Sequence, residues 1–293
     1  MVFLFKNRYG EIRSGWTLFL SGIVLFMVML LVGISIVLMT GDGALRLFNT
    51  PFVDYPLMSI AVLLLFWIIY KRPINQMGFY VNGWFKQLIL GITFGTVSIT
   101  SIIVIMFASG LMQFTNVNFH NLTNYQFWAG LLVFMFVGFF EELFARGFIM
   151  TALKTTRNEW VIVLLSSLIF AALHIANPST TPFALINITL IGVLIAYLFI
   201  KTGRLWASIG IHFAWNFVQG NIFGSLVSGI DTISIIQIEV SGADWLTGGE
   251  FGLEGGAICT FIVLLGLVYV HFGIKQNKAF WRTDSDMPLT RGL

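Results

Sequence analysis

Charge is what this chain lacks most. Charged residues make up 10% of it, against about a quarter in soluble domains, while apolar residues make up 57%. So few charges could not cover an aqueous surface, which excludes an ordinary soluble globule and makes lipid the expected solvent. Cysteine is nearly absent. The one cysteine, Cys259, excludes an intrachain disulfide, and its place in an apolar run fits a small buried hydrophobe. A basic patch is also missing. The net charge is +3, but the lysines and arginines are spread loop by loop, so nucleic acid is not an expected partner. No internal repeat, low-complexity tract or Pro/Gly/Ser-rich linker divides the sequence, and residues 1–293 are expected to form a single membrane domain.

What the sequence has is long apolar runs. A bilayer core of about 30 Å needs about 20 apolar residues per helix, and candidate runs occur at 16–39, 52–70, 88–112, 127–153, 160–175, 181–200, 206–223 and 257–272. The fold class expected is therefore all-α, a polytopic transmembrane bundle of about eight helices. The first run is too long for a secretory signal and lacks a small-residue cleavage pattern, so a retained helix is expected. Basic residues fall in alternate connections. They include Lys6, Arg8 and Arg13 before the first run, Lys71, Arg72 and Lys86 after the second, and Lys154 and Arg157 after the fourth. Lys201 and Arg204 follow the sixth, and Lys275, Lys278, Arg282 and Arg291 follow the last, whereas the other connections hold only Arg46. The positive-inside rule then predicts both termini in the cytoplasm. The long connection 224–256 falls outside the cell in this topology. Alternation through residues 231–240, followed by a glycine-rich stretch, suggests a short hairpin or lid over the bundle, with a surface loop as the alternative.

An ionisable residue facing lipid costs several kcal/mol, so those inside apolar runs should face the protein interior. Glu141, Glu142 and Arg146 lie in the fourth run, His174 near the end of the fifth, and His212 with Asn216 in the seventh. Glu142 and Arg146 are four apart in the orientation that favours an ion pair. Glu141 points about 100° away and has no partner on its own helix, which suits a general base. Ser208, His212, Asn216 and Gln219 form a polar stripe that implies a cavity; for Ser166, Ser167, Ser208, Gln219 and Asn187 themselves a structural role in bridging helices is expected. His120 and His271 lie at run ends and are expected at the interface. Counting helical rise puts His212 about 12 Å, Glu141 about 20 Å and His174 about 25 Å from the cytoplasmic ends of their helices, so straight helices would not bring them together.

The ordered series Glu141-Glu142-Leu-Phe-Ala-Arg146, Phe170-Ala-Ala-Leu-His174 and His212-Phe-Ala-Trp-Asn216 resembles the EExxxR, FxxxH and HxxxN motifs of the type II CAAX prenyl endopeptidase (CPBP or Abi) family. The resemblance covers about residues 127–223, and the stretch from Trp245 to Gly255 is similar to one that follows these motifs in bacterial members. It implies an intramembrane endopeptidase that uses a glutamate/histidine-activated water. Glu141 and His174 would activate that water, His212 and Asn216 would stabilise the oxyanion, and Glu142, Arg146 and Phe170 would support them. The expected partners are the lipid bilayer and a peptide or membrane-anchored protein, and the expected location is the bacterial plasma membrane. No cofactor is expected; zinc is the weaker alternative, because HExxH is missing and an arginine stands beside the acids. The alternative function is a non-catalytic bacteriocin-immunity or peptide-binding protein. A proton-coupled transporter would predict an internal repeat.

Overall fold

The computed structural model describes residue 5, residues 12–40 and residues 51–281. Lys6, Arg8, Arg46, Arg282 and Arg291, which carry part of the topology argument, lie outside the described residues. The fold is a helical bundle, and among the described residues its main helices are α1 (Ser14–Thr40), α2 (Pro51–Tyr70), α3 (Trp84–Ala108), α4 (Tyr125–Glu142), α5 (Glu159–Leu173), α6 (Pro182–Thr202), α7 (Leu205–Phe217) and α8 (Ala257–Gly273). Helix α4 continues through a π-helical stretch, Leu143–Ile149, and a last turn, Met150–Leu153. Another π-helical stretch, Val218–Ile222, prolongs α7.

Local chemistry sets the boundaries. The Asn124 and Asn158 side chains accept from the first free amides of α4 and α5, and Thr181 does the same for α6, where Pro182 occupies the first turn. These side chains satisfy helix-end donors that would otherwise have no partner. Five helices, α1, α2, α3, extended α4 and α6, are long and apolar enough to cross a membrane; α5 and α8 are apolar but shorter.

Helix α7 has 13 residues before its π stretch, about 20 Å of rise against a hydrocarbon core of about 30 Å. It need not span that distance, because its first turn is covered by protein. Leu205 N donates to Gly78 O at 3.1 Å, the Trp206 indole donates to Tyr80 O at 3.2 Å, and the Arg204 guanidinium donates to Asn82 O. Behind it, Gly203 packs on Ala279 and Phe280. Leu205 and most of α7 are consequently buried. Its most extensive neighbour is α3, and glycine permits the close approach. A Cβ on Gly95 would lie 2.5 Å from Ile211 O, and one on Gly210 2.5 Å from Leu88 O. Small residues let helix backbones meet and gain dispersion contacts that lipid cannot supply.

The structure departs from the sequence expectations in several places. The third run was expected to continue to 112, but α3 ends at Ala108, and Met112 begins strand β1 (Met112–Val117). The alternating segment at 231–240 does contain a strand, β2 (Ile236–Val240), yet it pairs antiparallel with β1 rather than in a local hairpin. Lys201, placed by charge counting in a loop, is buried in the last turn of α6. It donates to His271 O at 3.0 Å and Ile274 O at 3.3 Å, satisfying carbonyls at the end of α8. His271, expected at the interface, bonds through Nδ1 to the Tyr197 hydroxyl at 2.8 Å. The glycine-rich end of the 224–256 connection is packed rather than free: short 3-10 turns at Gly249–Phe251 and Leu253–Gly255 carry a buried run through Gly256.

Candidate active site

Glu141 and Glu142 occupy the last turn of α4, immediately before its helix widens into the π stretch. Such bulges often occur at functional sites because they re-aim consecutive side chains. Arg146, inside the π stretch, is fully buried and reaches Glu142 Oε1 at 3.0 Å. Its other terminal nitrogen donates to Gly192 O on α6 at 3.1 Å, and its guanidinium lies 4.4 Å from the centre of the Phe170 ring. The ion pair expected from the four-residue spacing is therefore formed and tied to both neighbouring helices.

Glu142 also joins α4 to α7, since its Oε1 is 2.9 Å from His212 Nδ1. A carboxylate oxygen held by the Arg146 guanidinium accepts, so Nδ1 is assigned the proton, and Nε2 of His212 faces Glu141. At the C-cap of α5, His174 Nδ1 lies 2.9 Å from Phe170 O. A carbonyl oxygen can only accept, so this Nδ1 also carries the proton, and in the uncharged ring Nε2 is an acceptor. Both Nε2 atoms lie 3.8 Å from Glu141 Oε2. That separation is too long for a direct hydrogen bond and suits an intervening water. Glu141 Oε2 is buried and has no hydrogen-bond partner in the protein.

The structure thus brings Glu141, His174 and His212 together, although rise counting along straight helices separated them. Helix α7 begins packed against residues 78–82 and 279–280, so its first residue does not mark the edge of the bundle from which the rise was counted. Asn216 lies one turn beyond His212 and faces the same cavity. Phe170 packs against the cluster, with its ring 4.8 Å from the His174 ring and 5.9 Å from the His212 ring.

These residues line a cavity of about 660 Å³. Much of its wall is apolar and includes Leu25 and Met29 of α1, Met58 of α2, and Ile188 and Ile191 of α6. Tyr55 of α2 also lines it, packed on Phe140 with ring centres 5.7 Å apart. Sequence reasoning gave α1 and α2 no part in the site, because apolar side chains there are indistinguishable from lipid-facing ones. It also missed Glu254, which lines the cavity from the 224–256 connection and is buried. Glu254 accepts from Ser228 N at 2.7 Å, Ser228 Oγ at 2.9 Å and Gln219 Nε2. Burial pushes its carboxyl up from the ordinary carboxylate range, more than these hydrogen bonds lower it.

Ser166 and Asn187 bridge neighbouring segments. Ser166 donates to Ala145 O at 2.9 Å, and Asn187 joins α6 to Gly256 O and Thr260 at 2.8 and 2.6 Å. Among the described residues no group of three or more His, Cys, Asp or Glu side chains converges closely enough to hold a metal ion. The nearest donor set for one is Glu141 with the two imidazoles.

Apolar helices around a buried acid–imidazole cluster define the class: an integral membrane protein with a polar site inside its bundle. The model of the Rce1-like type II CAAX prenyl endopeptidase family matches residues 123–218, so that stretch is similar to the family. It is less than half of the 293 residues but contains all seven candidate residues from Glu141 to Asn216. No curated protein and no solved structure matches the chain.

Proposed function

We propose that the protein is an intramembrane endopeptidase that hydrolyses a peptide bond of a membrane-associated protein or peptide with a water activated by Glu141 and His174. The observation that carries this reading is the unpartnered Glu141 Oε2, flanked by two imidazole nitrogens at 3.8 Å each. A water between them donates one hydrogen to Glu141 and the other to His174 Nε2, leaving a lone pair for a carbonyl carbon. As the water oxygen bonds to that carbon, its proton passes to Glu141. The tetrahedral oxyanion accepts from the Asn216 amide and from His212 Nε2. His212 donates there as the imidazolium, since Nδ1 already directs its proton to Glu142. When the C–N bond breaks, the proton held by Glu141 goes to the leaving amine. Arg146, Glu142 and Phe170 act by fixing the two imidazoles rather than by touching substrate.

The apolar cavity favours a substrate presented from the bilayer, and the distribution of basic residues supports a site reached from a membrane whose cytoplasmic face holds both termini. Incubating the purified protein in detergent with a library of membrane-associated peptides, with and without chelator, tests this reading. Cleavage that resists the chelator is expected. Chelator-sensitive cleavage would favour a metal on Glu141 and the imidazoles. Binding of peptides without cleavage would favour an immunity or capture role.

A further inference from the structure

Glu254 is a buried acid to which the hydrolytic scheme gives no part, yet it lines the same cavity as Glu141 and Asn216. It joins three segments. Its Oε1 accepts both donors of Ser228, and its Oε2 accepts from Gln219, whose amide also donates to Leu226 O at 2.6 Å. Gln219 is fully buried in the π stretch that ends α7, and Ser225 N returns to its carbonyl at 3.0 Å. Asn216 lies three residues earlier on the same helix face. Among the described residues its side chain makes no hydrogen bond, so its direction is set by the backbone of α7. A π turn is a strained departure from the α-helix and persists where neighbouring contacts determine it.

We propose that Glu254 is a positioning residue for hydrolysis at this site, anchoring Gln219 so that the end of α7 holds the Asn216 amide at the cavity wall. The inference rests on the hydrolytic reading above and adds a role for the 224–256 connection. Glu254 acts through hydrogen bonds to Gln219 and Ser228 and exchanges no proton with substrate. A purely structural latch would fail differently, because losing it would loosen the connection without a selective effect on turnover.

The test measures kcat and KM separately on the best peptide from the library, for wild type, Glu254→Gln, and the exchange Glu254→Gln with Gln219→Glu. An amide at 254 cannot accept from both Gln219 and Ser228, whereas the exchange restores the donor–acceptor match between positions 254 and 219 and forfeits the bond to Leu226 O. Maleimide labelling of the sole cysteine, Cys259, which is buried five residues beyond Glu254, reports packing independently of activity. The expected result for Glu254→Gln is a kcat about 10- to 100-fold lower, KM changed by less than about threefold, and Cys259 still protected, with kcat recovering in part in the exchange. A kcat within about twofold of wild type overturns the assignment. So does exposure of Cys259 that the exchange does not relieve. A wild type that cleaves nothing refutes the hydrolytic reading itself, whereas a cleaving wild type beside an unaffected Glu254→Gln refutes only the role given to Glu254.

Discussion

Replacing Arg146 with methionine keeps an unbranched side chain but removes the cation on which Glu142 depends. Both members of the pair are fully buried, so the variant leaves a carboxylate in the bundle whose remaining hydrogen-bond partner is His212. Removing one partner of a buried pair costs about 3–5 kcal/mol, chiefly because the other charge stays desolvated. The lost bond to Gly192 O and the contact with Phe170 fall within that range. The second substitution, Glu142→Gln, removes the stranded charge, so the double variant should be more stable than Arg146→Met alone by about 2 kcal/mol. Graded unfolding in mixed micelles, followed by helical circular dichroism and Cys259 labelling, measures all four corners of the cycle. Additive single effects, or a cost below about 1 kcal/mol for Arg146→Met, would refute the argument that charge burial governs this pair.

Other substitutions probe packing and titration. Gly95→Val should destabilise the protein by about 1–3 kcal/mol or more, measured by the same unfolding, because its new Cβ meets the Ile211 carbonyl. Lys201→Met should leave the carbonyls of His271 and Ile274 without their donor, and faster amide exchange at the end of α8 would show it. Glu254 predicts a pH dependence. Its folded-state carboxyl is raised above the ordinary range, so the native state holds more protons than the unfolded state between the ordinary value and the raised one. Stability contributed by the protonated form is present below that window and lost as pH rises through the raised value. Unfolding midpoints that fall with rising pH in wild type, and flatten in Glu254→Gln, are expected.

The polar centre was legible because ionisable residues stand out against apolar helices. The spacing of Glu142 and Arg146 fixed a contact that helical geometry could hardly avoid, and it left Glu141 as the acid without an in-helix partner. The link from Glu142 to His212 was not legible, because it depends on how α4 packs against α7. Pairing of β1 with β2 joins residues more than a hundred positions apart, and local alternation says nothing about so distant a partner. Lys201 illustrates another limit. Charge counting near membrane ends cannot separate a lysine in a cytoplasmic loop from one that caps the carbonyls of a neighbouring helix. Glu254 looked like a loop acid because the glycines around it are turn formers, and those same residues allow the segment to fold tightly into the bundle.

The most direct test of the account is the turnover of Glu141→Gln at saturating peptide, with products identified by mass spectrometry and the fold checked by protection of Cys259. Loss of a general base predicts a kcat lower by about 10²- to 10⁴-fold with the fold intact. Cleavage at the same bond within a few-fold of the wild-type rate would contradict the assignment of Glu141 as the group that activates water.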